Sequence, residues 1–220
     1  AAERAADPTV RVVVLTGEGA SFCAGGDLDW MRAQFTANRA TRIAEARKLA
    51  LMLQALNELP KPLIGRVQGQ AFGGGIGMMS VCDVCIAVDG AKFGLTETRL
   101  GLIPATISPY VVARMGEGKA RRVFMSARLF EAAEARDLDL VARVVAAEEL
   151  DAAVEREVKP YLAAAPGAVA RAKALARSLG TPITEAVIAA TIERLADCWE
   201  DPEAHEGISA FFDKRKPAWS

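Results

Sequence analysis

Histidine is almost absent from this chain of 220 residues: His205, in a polar stretch near the C-terminus, is the only one. That argues against a Ser-His-Asp hydrolase and against a histidine-ligated metal site, so no metal is expected. Cysteine is scarce as well. Cys23, Cys82, Cys85 and Cys198 are too few and too unevenly spaced for a disulfide framework, and a reducing compartment suits them. Cys82 and Cys85 do form a CxxC, but without a second pair or a nearby histidine they read as buried structural thiols. No apolar run approaches the roughly 18 residues of a membrane span, and no signal peptide opens the chain, so a cytoplasmic protein is expected. The formal net charge of -1 lacks the basic excess that nucleic acid or an anionic membrane surface calls for. Three nucleotide and nucleophile templates are missing too: GxGxxG, because Met78 and Ser80 do not supply its last glycine, GxxxxGK[ST] and GxSxG.

What is present is an ordinary globular composition, 51% hydrophobic and 25% charged, long enough for one large core with a smaller appendage. The opening "AAERAADP" reads as the tail of a helix, stopped at Asp7 and Pro8. Val10 to Thr16 is then a near-continuous apolar strand, suited to a parallel sheet covered on both faces. A second strand is predicted near Leu63 to Gln68, a helix from about Gly75 to Cys82 and another strand near Val84 to Val88. Strand, crossover helix and parallel strand make an α/β architecture. A long helix over roughly 40–59 is stopped by Pro60 and Pro62, and helical character dominates from Glu117 onward. In the last segment Ile183, Val187, Ile188, Ile192, Leu195 and Trp199 form one amphipathic face. A boundary near Ala165 separates a core, 1–165, from a helical region, 166–220.

Two glycine turns, in "SFCAGGDLDWM" and "QAFGGGIGMM", each follow a strand and precede a helix. Each turn therefore offers free backbone N–H groups and a partial positive charge before its helix. From neighbouring parallel strands the two turns can aim two donors at one point, which is what a developing oxyanion needs. Tight helix–strand packing alone is the competing explanation.

Those two stretches, the second extended through "SVCDVCIAVDGAKFGLTETRLGLIP", resemble the signature regions of the enoyl-CoA hydratase/isomerase, or crotonase, superfamily, and "DPEAHEGISAFFDKRKPAW" is similar to its C-terminal signature. The resemblance runs over nearly the whole chain, without the superfamily's N-terminal strand pair and first helix. It implies a spiral of repeated ββα units, a C-terminal helical trimerisation region, a homotrimer or dimer of trimers, acyl-CoA as substrate and no cofactor. It implies that the N–H groups of Gly26 and Gly74 hold the thioester oxygen and that Glu97, in "FGLTE", is the general acid/base. The superfamily's first catalytic glutamate would stand at Gly77, where this chain departs from the pattern. By the same resemblance Asp27 caps the helix after the first turn, Trp30 and Met31 line the acyl pocket, and Ala24 meets the adenine of CoA. Phe211 and Lys214 would reach CoA bound to a neighbouring subunit. "LGLIPATISPYV" is similar to the branch holding bacterial methylglutaconyl-CoA hydratases and related enzymes of leucine and acyclic terpene breakdown. Thr106, Ser108 and Tyr110 in it, or Arg99 just before it, could supply polar groups for water or for a substrate carboxylate. Hydration of a 2-enoyl-CoA is the leading reaction. Double-bond isomerisation by Glu97 alone and a non-catalytic acyl-CoA binder are the alternatives.

Overall fold

A computed structural model describes residues 7–220, so the helix tail expected before Asp7 lies outside the described residues. Along the chain come β1 (Val13–Thr16), α1 (Leu28–Thr36), α2 (Arg39–Asn57), β2 (Leu63–Val67), β3 (Ala71–Phe72), α3 (Gly74–Val81), β4 (Val84–Val88) and β5 (Lys92–Gly94). A 3-10 turn, Glu97–Leu100, leads to α4 (Ser108–Met115), α5 (Glu117–Phe124), β6 (Leu129–Glu131), α6 (Ala132–Asp137) and β7 (Arg143–Val145). The helices α7 (Leu150–Ala163), α8 (Pro166–Ser178), α9 (Glu185–Glu200) and α10 (Pro202–Phe212) complete it.

The strands divide between two sheets. One is wholly parallel, in the order β1-β2-β4-β7, and the other runs β3-β5-β6 with β3 and β5 parallel. Successive strands alternate between them: β2 and β4 enter the larger sheet, β3 and β5 the smaller, and a helix or 3-10 turn follows each pair. This is the expected winding of ββα units. β2 and β4 are central, so their apolar runs are covered on both faces: Leu63, Ile64, Val67 and Ile86 are fully buried together with Ile76 and Met79 of α3.

The first strand departs from expectation. It is shorter than Val10 to Thr16, and it alternates between half-buried and exposed residues. Among the described residues β1 pairs only with β2, at the edge of the larger sheet.

Helices after Ala165 fold back onto the chain's own core. Ile188 and Ile192 of α9 pack on Ala46 and Ala50 of α2. Arg39, at the start of α2, holds Glu193, Asp197 and Glu200 at 2.6, 2.8 and 2.9 Å. The buried Arg42 donates to the carbonyls of Gln34, Phe35 and Trp199, tying the α1–α2 corner to the end of α9. At α10 two glycines let backbone meet backbone. A Cβ at Gly207 would lie 2.5 Å from the Leu100 carbonyl carbon, and one at Gly101 would overlap Glu203 and Ala204. The turn that carries Glu97 is thereby fixed from below. Among the described residues no helix is long and apolar enough to cross a membrane.

Candidate active site

The two glycine turns lie side by side because the loop before α1 joins the edge of the smaller sheet. Cys23 bridges Ala71 in parallel, its N–H donating to Gln70 O at 3.1 Å and its carbonyl accepting from Phe72 N at 3.1 Å. Three residues on is Gly26, and three residues after Ala71 is Gly74. Asp27 caps α1 as expected, Oδ1 accepting from Trp30 N at 2.8 Å. Gly74 is the first residue of α3, so its N–H has no acceptor within that helix. Gly73 before it adopts φ +50°, a left-handed conformation that favours glycine, and donates to Gly94 O at 3.1 Å.

Between these turns and the C-terminal helices lies a cavity of about 650 Å³. Gly26, Gly74, Glu97, Ala24, Asp27, Trp30, Met31, Thr106 and Phe211 all line it. The structure therefore brings these nine sequence-predicted residues together, whereas Lys214 does not line the cavity. Phe211, on α10, lines this chain's own cavity. Ser108 and Tyr110 do not line it. Ser108 Oγ donates to Ala105 O at 2.7 Å, and the buried Tyr110 hydroxyl donates to Ala50 O at 3.4 Å. Both serve the packing of α4, and Arg99 does not line the cavity either.

From spacing alone Glu97 is an ordinary surface carboxylate; the fold makes it something else. It opens the 3-10 turn beneath Gly73, its Oε1 3.1 Å from where a Cβ on Gly73 would stand. Its Oε2 is buried and finds no hydrogen-bond partner among the described residues. Burial penalises the ionised form and raises the pKa to about 7, against a small opposing pull from its own backbone N–H. Such a carboxyl exchanges protons readily at neutral pH.

Three features escaped the sequence. Glu45 and Lys48 of α2 line the cavity as an ion pair at 2.6 Å, and Lys48 is the one cationic side chain among its lining residues. Their i,i+3 spacing was visible, but on a helical face it signals only a solvated pair. Leu195 and Trp199 close the wall from α9, which depends on where that helix docks. Ile107 also lines the cavity while remaining buried. Among the described residues no group of three or more His, Cys, Asp or Glu is placed to hold a metal ion.

Comparison with known proteins agrees with this geometry. The pattern of the family described as "Enoyl-CoA hydratase/isomerase" matches residues 2–220. An enoyl-CoA hydratase of Alternaria alternata is 35% identical, over 90% of this chain and 72% of that protein. A crotonyl-CoA hydratase of Syntrophomonas wolfei is 32% identical, over 96% of this chain and 80% of its own length. The crystal structure of an enoyl-CoA hydratase from Shewanella pealeana superposes with a TM-score of 0.79 at 37% identity, covering 99% of this chain and 82% of that one. With paired glycine turns, a half-buried glutamate beneath them and a match over residues 2–220, the chain belongs to the enoyl-CoA hydratase/isomerase family and has its crotonase fold.

Proposed function

We propose that the protein is an enoyl-CoA hydratase that adds water across the 2,3 double bond of an enoyl-CoA thioester. The observation that carries this reading is the Glu97 carboxyl, its Oε2 buried without a hydrogen-bond partner among the described residues and its pKa raised, set beside the Gly73–Gly74 turn in an apolar cavity. The N–H groups of Gly26 and Gly74 take the thioester oxygen. As water bonds to C3, the C2=C3 pair shifts toward C1 and charge collects on that oxygen. Two preorganised donors stabilise it by roughly 3 kcal/mol each. Glu97 takes the proton that water loses and returns one to C2, regenerating the thioester. Water, enoyl-CoA and one carboxyl complete the atom balance, so no cofactor is invoked.

The acyl part occupies the wall of Trp30, Met31, Leu195 and Trp199, with Phe211 and Ala24 toward CoA. A branched or carboxylated acyl chain of the methylglutaconyl kind is favoured by the resemblance of "LGLIPATISPYV". Homotrimeric assembly, alone or doubled, is proposed on the same ground. Exposed Leu162 on α7, Leu175 on α8 and Leu179 just after it are consistent with a covered face. A second reading, double-bond isomerisation between C2 and C4, is favoured by the absence of a carboxylate at Gly77, since one group suffices to carry one proton.

Crotonyl-CoA and 3-methylglutaconyl-CoA decide between them. Loss of the conjugated-enoyl absorbance with gain of one water by mass is expected. Tight binding of both thioesters without water gain would exclude hydration. Migration of the double bond of a 3-enoyl-CoA without hydroxyacyl product would establish the isomerase instead. A protein that binds both and transforms neither is a carrier.

A further inference from the structure

The position that the family resemblance reserves for a second carboxylate is physically closed in this chain. A Cβ on Gly77 would lie 2.5 Å from Ile107 Cγ2 and 2.9 Å from Ile107 Cβ, with Leu53 Cδ1 at 3.5 Å behind. Separations under 3.0 Å are not tolerated between carbon atoms, and the second is to a Cβ, which no rotamer change moves. Nor can the backbone of Ile107 yield easily. It precedes α4, and its carbonyl accepts from Tyr110 N and Val111 N, both at 3.1 Å. The Tyr110 and Val111 side chains are themselves buried in the core. Ile107 lines the cavity, and Gly77 behind it does not. Thus the glycine is more than a lost side chain: a neighbour fills the volume that the side chain would need.

We propose that Ile107 is a specificity-determining residue: by occupying the space beside Gly77 it confines acid–base chemistry in this cavity to a single carboxylate, Glu97. The other titratable side chains lining the cavity are already engaged or differently placed. Asp27 caps α1, Glu45 is paired with Lys48, and the Cys23 thiol faces its own loop at the Gly25 carbonyl. Glu97 therefore both activates the water and delivers the proton to C2. In the addition, one water proton passes to the Glu97 carboxylate as the water oxygen bonds to C3 and the π pair becomes the enolate. The protonated Glu97 then returns a proton to C2 as the enolate collapses. The inference rests on the hydratase reading for the water step, but the count of carboxylates does not.

The test compares the parent with Gly77→Glu, Ile107→Gly and the double variant. Glycine is needed at 107 because alanine would keep the offending Cβ. Two readouts are used: hydration of crotonyl-CoA, and exchange of the C2 protons of butyryl-CoA in heavy water, followed by mass across pH 5–9. The parent's exchange profile is expected to follow one ionisation. The double variant is expected to show two, since neighbouring carboxylates separate their apparent ionisations. It is also expected to hydrate crotonyl-CoA at least tenfold faster than Ile107→Gly alone. A folded Gly77→Glu variant that matches the double variant, or a double variant with one ionisation, overturns the proposal. Should the double variant not fold, Gly77→Ala supplies the steric readout. It should lower the melting temperature in the parent and much less in the Ile107→Gly background, and equal losses in both overturn the proposal. A parent that hydrates nothing yet exchanges C2 protons with one ionisation sinks the hydratase reading and leaves the role of Ile107 standing.

Discussion

Replacing Glu97 with glutamine should make the protein catalytically poor and remove a pH dependence of its stability between pH 5 and pH 8. The Glu97 carboxyl has an ordinary value of 4.5 and is raised to about 7 by burial. A carboxyl whose folded pKa lies above its unfolded one holds an extra proton in the folded state. Its contribution to stability is therefore complete below pH 4.5 and is lost as pH rises through 7. The difference between the two values is worth about 3 kcal/mol once both states are ionised. Most of it, about 2.5 kcal/mol, develops between pH 5 and pH 8. Glutamine does not ionise, so the variant lacks this slope. Its buried amide adds an offset of roughly 1–3 kcal/mol that does not vary with pH. The diagnostic is thus the change with pH, rather than the sign at any one pH. Urea unfolding of parent and variant at intervals from pH 5 to 8 measures it. For a chain of this size, the parent should lose roughly 5–10 °C of melting temperature relative to the variant across that range. A stability difference independent of pH would refute the burial of Glu97 as an ionisable group. Full activity in the variant would separately refute its role in proton transfer.

Gly74→Ala tests the oxyanion turn, because a Cβ there meets nothing within 4 Å and would project into open space. Stability should change by less than about 1 kcal/mol, while kcat/KM on crotonyl-CoA falls roughly 10- to 100-fold, about 1.4–3 kcal/mol of transition-state stabilisation. Gly73→Ala should do both kinds of damage: φ +50° strains any side chain by roughly 1–2 kcal/mol, and the new methyl would press on Glu97 Oε1 at 3.1 Å. A melting temperature equal to the parent's would contradict it. Arg42→Ala removes the side-chain donor of three carbonyls, two of them in buried hydrogen bonds, and should cost about 3 kcal/mol in urea unfolding. It should also raise KM, since Trp199 of the cavity wall loses its anchor; an unchanged KM would show that α9 is held by other contacts. Cys82 should resist thiol reagents in the native protein. Its hydrogen bond with Cys85, together with burial, raises the thiol pKa well above the ordinary value. Half-buried Cys23 should react and be shielded by a bound acyl-CoA, and equal labelling with and without ligand would remove Cys23 from the ligand's path.

The sequence by itself determined what depends on neighbours along the chain. Strand–glycine–helix order, the parallel sheet and a helix beginning within one residue of Gly74 were legible, while the Asp27 cap and the departure at Gly77 followed from the family resemblance. Periodicity, capping and backbone freedom act over a few residues. The resemblance of several linked motifs then joined the two glycine turns and Glu97. What only the tertiary structure decided depends on neighbours far apart in sequence. That β1 stands at the edge of the larger sheet among the described residues was settled by strand pairing. Whether Glu97 would be a solvated surface group or a buried acid was settled by the Gly73 turn above it and α10 below. Phe211 came to line its own chain's cavity because Gly101 and Gly207 admit a backbone-to-backbone contact. Glu45, Lys48 and Trp199 became wall residues only when α9 docked on α2. The absence of a side chain at Gly77 can be read from one letter, but the reason a side chain cannot return there is Ile107, thirty residues away, because excluded volume is a property of the packed interior.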